Sequence, residues 1–271
     1  MTRELNVSVI TTHSLQGPWG FNNSPEDIHA LNFLNISIPI VFSHASFLTP
    51  TGAELLRSTN QYISITPESE MHYGQTHPFS YSIQDQASLG VDTHITFSTD
   101  ILTQARIWLQ QARYERYLDV LEENKLPRTN PMSVEQAFLL ATRHGALALR
   151  RNDLGIIAEG AKADLVVWDG ASPALLGWVD PVAAVILHAS VGDIEAVMVD
   201  GRWAKRGGKL VGKGWPEARA RFVRTAQRLQ AVWRSLPLPE PPAEFNGHAV
   251  VDPVQVDVLR GRGNGYGNVY I

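Results

Sequence analysis

Short apolar runs rich in Val, Ile and Thr alternate with polar stretches through the first hundred residues, and they predict strands. Asn6 to Thr12 (NVSVITT) is the first, delivering His13 at its C-terminal end. Ile36 to Ser43 (ISIPIVFS) is the second, apolar nearly throughout, and it delivers His44. Tyr62 to Ile65 is the third and runs into Thr66-Pro67-Glu68-Ser69-Glu70. In Gly90 to Asp100 (GVDTHITFSTD), Val91, Thr93, Ile95 and Phe97 alternate with Asp92, His94, Thr96 and Ser98, the period of a fourth strand that leaves Asp100 just past its end. Helix starts lie between them. Ser24-Pro25-Glu26-Asp27 combines an N-cap, a first-turn proline and acids at the positive end of the dipole, and Thr51 to Glu54 has capping-box spacing. Ile83 to Leu89 reads as helical.

The texture changes further on. Ile101 to Asn124 carries an apolar stripe (Ala105, Trp108, Leu109, Ala112) of a long helix closed by Pro127, and Ser133 with Gln136 opens another through Ala148. Leu154 to Ile157, Ala163 to Trp168 and Ala196 to Trp203 then read as short strands punctuated by Gly and Asp-Gly turns, a small antiparallel unit. A last helix begins at Trp215-Pro216, with Phe222, Ala226, Leu229, Trp233 and Leu236 on a face expected to meet a core and its arginines on a solvated one. Pro237 to Pro242 is a stiff linker, and GRGNGYGN near the end is too rich in glycine to pack. These shifts divide the chain into 1–150, 151–212, 213–236 and 237–271.

Strand and helix units in succession, with strands apolar nearly throughout, indicate an α/β fold with a parallel sheet covered by helices. Parallel strands put their C-termini on one side, so His13, His44, the Pro67 to Glu70 turn and Asp100 are expected to converge there, where α/β folds place their chemistry. Each has a plainer alternative. Either histidine can be a strand-end side chain bonded to backbone, and Asp100 can be the N-cap of the helix beginning at Ile101. His72 and His77 fall in the loop before the fourth strand, where exposure is the simpler expectation.

Composition narrows the function classes. A net charge of −4 argues against a general polyanion binder, so a small molecule is expected as partner and nucleic acid is not. The absence of cysteine excludes disulfides, thiolate metal sites and cysteine nucleophiles, and no G-x-S-x-G supports a serine hydrolase. No apolar run has the length of a signal peptide or a membrane span, which makes a cytoplasmic protein without membrane partners the expectation.

Two passages carry a family likeness. Leu154 to Asp169, LGIIAEGAKADLVVWD, resembles the LG-x-I-x-x-G-x-x-ADLVV-x-D passage of the amidohydrolase superfamily, in its branch of metal-dependent deaminases and chlorohydrolases. His188 to Gly201, HASVGDIEAVMVDG, is similar to the HA-x-x-x-x-V-x-x-VMV-x-G strand pair of the same superfamily. By this resemblance FSHASFLTPTGAELL looks like the sixth strand and following helix of a (β/α) TIM-type barrel, ITPESEMHYG like the passage after the seventh, and FSTD like the close of the eighth. The implied fold is the last four strands of a barrel with a small β-sandwich.

The resemblance also implies a chemistry: hydrolysis of a carbon–nitrogen, non-peptide bond in a small molecule by metal-activated water. It assigns His13 and Asp100 as ligands of Zn2+ or another divalent metal, Asp100 and His44 as catalytic groups, and Gln16 as a substrate contact where relatives carry the Glu of H-x-x-E. The chain departs from the pattern as well. It has no H-x-H, and Glu70 stands where the P-x-SN passage has Asn. Catalytic zinc usually has three protein ligands, so low occupancy is expected for this chain alone. The alternatives are a catalytically incomplete relative, or a half-barrel whose open edges pair with a complementing chain or a second copy.

Overall fold

The computed structural model describes residues 7–20, 23–212 and 214–253. Its first sheet has four parallel strands in the order β1 (Ile10–Leu15), β2 (Ile40–Ser46), β3 (Tyr62–Ile65) and β4 (Ala87–Leu89). The first two run further than the sequence predicts. His13 and His44 therefore lie inside strands, with His13 opposite Ser43 and Ser14 opposite His44. Past that point the ladder slips a residue, pairing Leu15 with Ser46.

Helices cover the sheet. Ser24 caps α1 (Pro25–Ala30) in a capping box with Asp27, as its sequence predicts. Helix α2 (Pro50–Thr59) starts earlier than expected, because Thr49 accepts from the Gly52 N–H and Pro50 takes the first turn. Pro67–His72 forms α3, where the sequence suggests only a turn. The segment before β4 is a 3-10 helix over Ser80–Gln86.

The expected fourth strand is a correction. Gly90 to Asp100 forms turns and irregular backbone, and the strand lies earlier, within the segment that reads as helical. The alternation in GVDTHITFSTD lacks the buried face that a strand requires: Phe97 is buried, whereas Ile95 stands largely exposed. Asp100 ends this segment as the N-cap of α4 (Ile101–Glu122), accepting from the Thr103 N–H at 2.7 Å and its hydroxyl at 2.8 Å.

Ser133 and Gln136 form the predicted capping box of α5 (Val134–Ala141), but the helix breaks at Thr142 and resumes as α6 (Arg143–Ala148). Helix α7 (Pro181–His188) packs beside α4 and α5. The core runs between the sheet and these helices, through Phe42, Ile63, Ile65, Trp108, Leu109, Leu140 and Ile186. A buried glutamine ties the lower edge together: Gln61 accepts from the Ile40 N–H at 2.7 Å and donates to the Leu34 carbonyl at 3.0 Å.

The second sheet is antiparallel, in the order β5 (Leu165–Trp168), β6 (Ile194–Val199), β7 (Arg202–Arg206) and β8 (Lys209–Leu210). Leu154 to Ile157 is not a strand. The last helix, α8 (Trp215–Ser235), lies where expected, but its apolar stripe meets no core among the described residues: Phe222 is 65% exposed, and Leu229 and Trp233 are exposed as well. No helix among the described residues is long and apolar enough to cross a membrane. The GRGNGYGN segment lies outside the described residues.

Trp108 is the largest fully buried side chain, and its indole N–H donates to Gln84 Oε1 at 3.2 Å. Trp108→Ala is expected to lower stability by about 3–5 kcal/mol, read by urea unfolding.

Candidate functional site at the strand ends

Neighbouring parallel strands place two histidine rings side by side. His13 on β1 and His44 on β2 have ring centroids 5.4 Å apart at an interplanar angle of 38°. His13 is exposed and His44 is buried. The backbone around His44 is unusual. His44, Ala45 and Phe47 all have positive φ (68°, 50° and 57°), a left-handed conformation that costs a side-chain-bearing residue roughly 1–3 kcal/mol. Strain of this kind persists where surrounding structure holds it, often at a functional site. Facing it, Gly17 (φ 65°) closes the turn after β1, where an added Cβ would lie 2.9 Å from the Phe47 ring.

The segment after the third strand joins them, as the sequence leads one to expect. Glu70, in α3, is fully buried. Its Oε1 accepts from the Thr66 N–H at 2.8 Å and the Thr66 hydroxyl at 3.1 Å, and lies 3.2 Å from His44 Nδ1. Its Oε2 lies 2.7 Å from His77 Nε2, while His77 Nδ1 meets Ser80 Oγ at 2.9 Å. Thr66 Oγ1 is 2.8 Å from His44 Nδ1. His77 is 0% exposed, with Trp108 edge-on to its ring at 5.2 Å, so the expectation that it is solvent-exposed is overturned.

Burial by itself would raise the Glu70 carboxyl pKa. The attraction of the adjoining His77 ring, the bonds with His44 and His77 and the Thr66 N–H outweigh it and lower the pKa to about 2.

The acid that follows β4 is Asp92, beyond Gly90 and Val91. Its Oδ2 accepts from the Ser69 hydroxyl at 2.5 Å, beside Glu70 in sequence. Asp100 is committed to the start of α4 by both carboxylate oxygens. The segment between them is anchored by Glu68, which accepts from the Ser98 N–H at 2.8 Å and Gln104 Nε2 at 2.9 Å. Gln16 lies half-buried at the turn after β1. His29, His72, His94 and His248 are exposed.

Of the residues singled out from sequence, the fold thus brings His13 and His44 into contact range and gives Asp100 a capping role. Sequence reasoning missed Asp92, Thr66 and His77. The signal for Asp92 was available, since Gly90-Val91-Asp92 follows directly on a short apolar stretch.

An open groove of about 740 Å³ lies elsewhere, along the outer face of α4 between Met71, Arg106, Ile107 and Tyr114. It is lined mainly by apolar surface, and neither His13, His44, Glu70 nor His77 lines it.

Polar groups at the C-terminal edge of a parallel sheet define the usual site of an α/β enzyme. The sequence profile of the amidohydrolase family matches residues 23–204, and the chain belongs to that family. It is 31% identical over 186 residues to the 5-methylthioadenosine/S-adenosylhomocysteine deaminase of Pyrococcus horikoshii, covering 67% of this chain and 41% of that protein. To the 5'-deoxyadenosine deaminase of Methanopyrus kandleri it is 32% identical over 181 residues, 64% of this chain and 38% of the relative. Its fold is shared with an adenosine deaminase from Xanthomonas campestris with bound zinc, at a TM-score of 0.67 and 18% identity over 87% of this chain and 53% of the other. The zinc complex of atrazine chlorohydrolase from Arthrobacter aurescens gives a TM-score of 0.63 at 17% identity, over 82% and 49%. The chain thus spans about two fifths of the length of these curated relatives and about half of these solved structures.

A carboxyl group whose folded pKa lies below its unfolded value stabilises the fold fully above the unfolded value, and the gain is lost as pH falls through the folded one. For Glu70 that window runs from about pH 4.5 down to about 2. Urea unfolding across it should show the unmodified chain losing a few kcal/mol more stability than Glu70→Gln; equal losses would contradict an ionised buried Glu70.

Proposed function

We propose that this chain carries a hydrolase active site at the C-terminal edge of its parallel sheet, and that the enzyme breaks a carbon–nitrogen bond in a small cyclic amine. Residues 1–150 are read as the last four units of a (β/α) barrel and 151–212 as part of a β-sandwich, followed by the α8 region and a tail. The observation that carries the reading is the His13 and His44 pair at the C-terminal edge of adjacent parallel strands, in a chain of the amidohydrolase family. The names of its relatives support adenosine-like amines as the substrate class.

Hydrolytic deamination forms a carbon–oxygen bond from water, then breaks the carbon–nitrogen bond of the tetrahedral adduct. Ammonia leaves with a proton that the water gave up, so a group must accept that proton and return it. His44 and Asp92 are the groups proposed for this transfer, with Asp92 in the place the sequence suggests for Asp100. Gln16 carries an amide, which orients a substrate by hydrogen bonding but does not shuttle protons.

A zinc ion is bound by the Xanthomonas and Arthrobacter neighbours. Among the described residues here, no three His, Asp or Glu side chains gather as a group able to hold a metal. Two strand-end ligands do not by themselves fit an ion that takes three. This observation, with the free outer edges of β1 and β4 among the described strands, favours a second reading. In that reading the chain is incomplete alone and acts when another polypeptide, or a second copy, supplies the remaining ligands.

Ammonia release from 5'-deoxyadenosine, measured with light scattering of the same sample, tests both readings. Turnover by the monomer supports the first reading, and turnover confined to an assembly supports the second. In whichever form is active, His44→Ala and Asp92→Asn should each lower kcat by about 10²–10⁴-fold. Asp100→Ala should cost about 1 kcal/mol of stability and leave kcat nearly unchanged. A His44→Ala variant as active as the unmodified chain would remove the hydrolase reading of this edge.

A further inference from the structure

Glu70 is the group that the proposed chemistry leaves without a role. It is buried, it joins two histidines, and one of them is the proposed proton carrier. We propose that Glu70 is a positioning residue that sets the tautomers of both rings, holding His44 with its proton on Nδ1 and His77 with its proton on Nε2. Its importance for turnover rests on the hydrolase reading above, whereas the tautomers themselves do not.

The argument is a count of donors and acceptors. An ionised carboxylate only accepts, so every polar atom turned toward it has to bring a proton. On the Oε2 side the sole partner among the described residues is His77 Nε2 at 2.7 Å, which places the His77 proton there. The other His77 nitrogen, Nδ1, is left as the acceptor for the Ser80 hydroxyl at 2.9 Å.

On the Oε1 side, the Thr66 hydroxyl donates to the carboxylate at 3.1 Å, and its oxygen is then free to accept from His44 Nδ1 at 2.8 Å. Reversing that bond would turn the hydroxyl proton toward a bare Nδ1. The Nδ1 lone pair would then sit 3.2 Å from a negatively charged oxygen with no proton between them. Donation to Thr66 and donation to Glu70 both require the proton on Nδ1. The Thr66 N–H at 2.8 Å and its hydroxyl at 3.1 Å, both donating to Oε1, agree with a carboxylate that stays ionised.

The consequence falls on the other nitrogen. Nδ1 of His44 is engaged on the β3 side, and Nε2 has no partner among the described residues. The lone pair is therefore carried by Nε2, on the edge of the ring away from Glu70, where a proton acceptor serves a substrate. Free histidine in water favours the opposite tautomer, so the arrangement has to be imposed. Buried hydrogen bonds to a second group fix histidine tautomers in this way.

The structure also dictates what Glu70→Gln does. The amide oxygen has to stay where the Thr66 N–H donates at 2.8 Å, which turns the amide NH2 toward His77 Nε2. His77 then has to become an acceptor at Nε2 and move its proton to Nδ1, with Ser80 Oγ accepting.

Long-range proton–nitrogen NMR of the imidazole rings in the full chain at neutral pH reads this directly, with His44→Gln and His77→Gln spectra to assign the signals. Expected are His44 protonated on Nδ1 and His77 on Nε2, with His77 changing to Nδ1 in Glu70→Gln. His44 found with its proton on Nε2 in the unmodified chain would overturn the proposal, and so would a His77 tautomer unmoved by Glu70→Gln. The unmodified chain supplies the first result even if the variant does not fold. Neither result needs turnover, so an inactive chain with the expected tautomers would count against the hydrolase reading alone.

Discussion

Parallel pairing is the constraint on which the site depends. With β1, β2, β3 and β4 running the same way, each strand must release its chain on the same side, whatever follows it. Register then decides which side chains meet. His13 opposite Ser43 and Ser14 opposite His44 set the two histidines one step out of line along the strands, close enough for their rings to approach. The price of that approach is the left-handed backbone at His44, Ala45 and Phe47, which regular pairing would avoid. The buried core beneath, from Phe42 and Ile63 to Trp108, gives the strand ends a rigid base.

The structure above this base is held by charge rather than by apolar contact. A carboxylate without exposure is tolerated only when donors replace the water it has lost. Glu70 has them from Thr66, His44 and His77, and they come from β2, from the start of α3 and from the loop leading to the 3-10 helix. Three separate pieces of the chain are thereby fixed to one group. A second carboxylate, Glu68, does the same for the segment before α4 through Ser98 and Gln104. Consecutive acids in α3 thus organise the two sides of the rim.

Much of this was legible in the sequence, for reasons that differ by residue. Tyr62–Ile65 and the Ser24 and Ser133 caps were readable because their signals are local: a β-branched run and a side chain three residues from its partner. The fourth strand was not, since Ala87–Leu89 is too short to show a period, while the exposed stretch after it alternates by chance. That misreading is why the sequence points to Asp100, which caps α4, and not to Asp92, the acid that follows β4. His77 was unreadable for another cause: it is packed by Trp108, remote in sequence, and bonded to Glu70 across a turn whose path no local pattern records. The stripe on α8 shows the limit of periodicity, which predicts an apolar face but not what lies against it.

The ligand count and the Glu70 network bear on different parts of the proposed chemistry. Histidine and carboxylate groups at strand ends are suited to bind and to move protons, and neither use requires that all ligands come from one polypeptide. The hydrogen-bonded network around Glu70 lies within the described residues, where Thr66, His44 Nδ1, His77 and Ser80 meet one another and the carboxylate. The ion-holding part is not complete among the described residues. A buried, fully satisfied polar network is costly to build and is destabilising when half-made, so a chain that keeps one gains a defined geometry from it. Under the proposed reading, an intact network beside an incomplete ligand set is the arrangement expected of a site that another polypeptide completes.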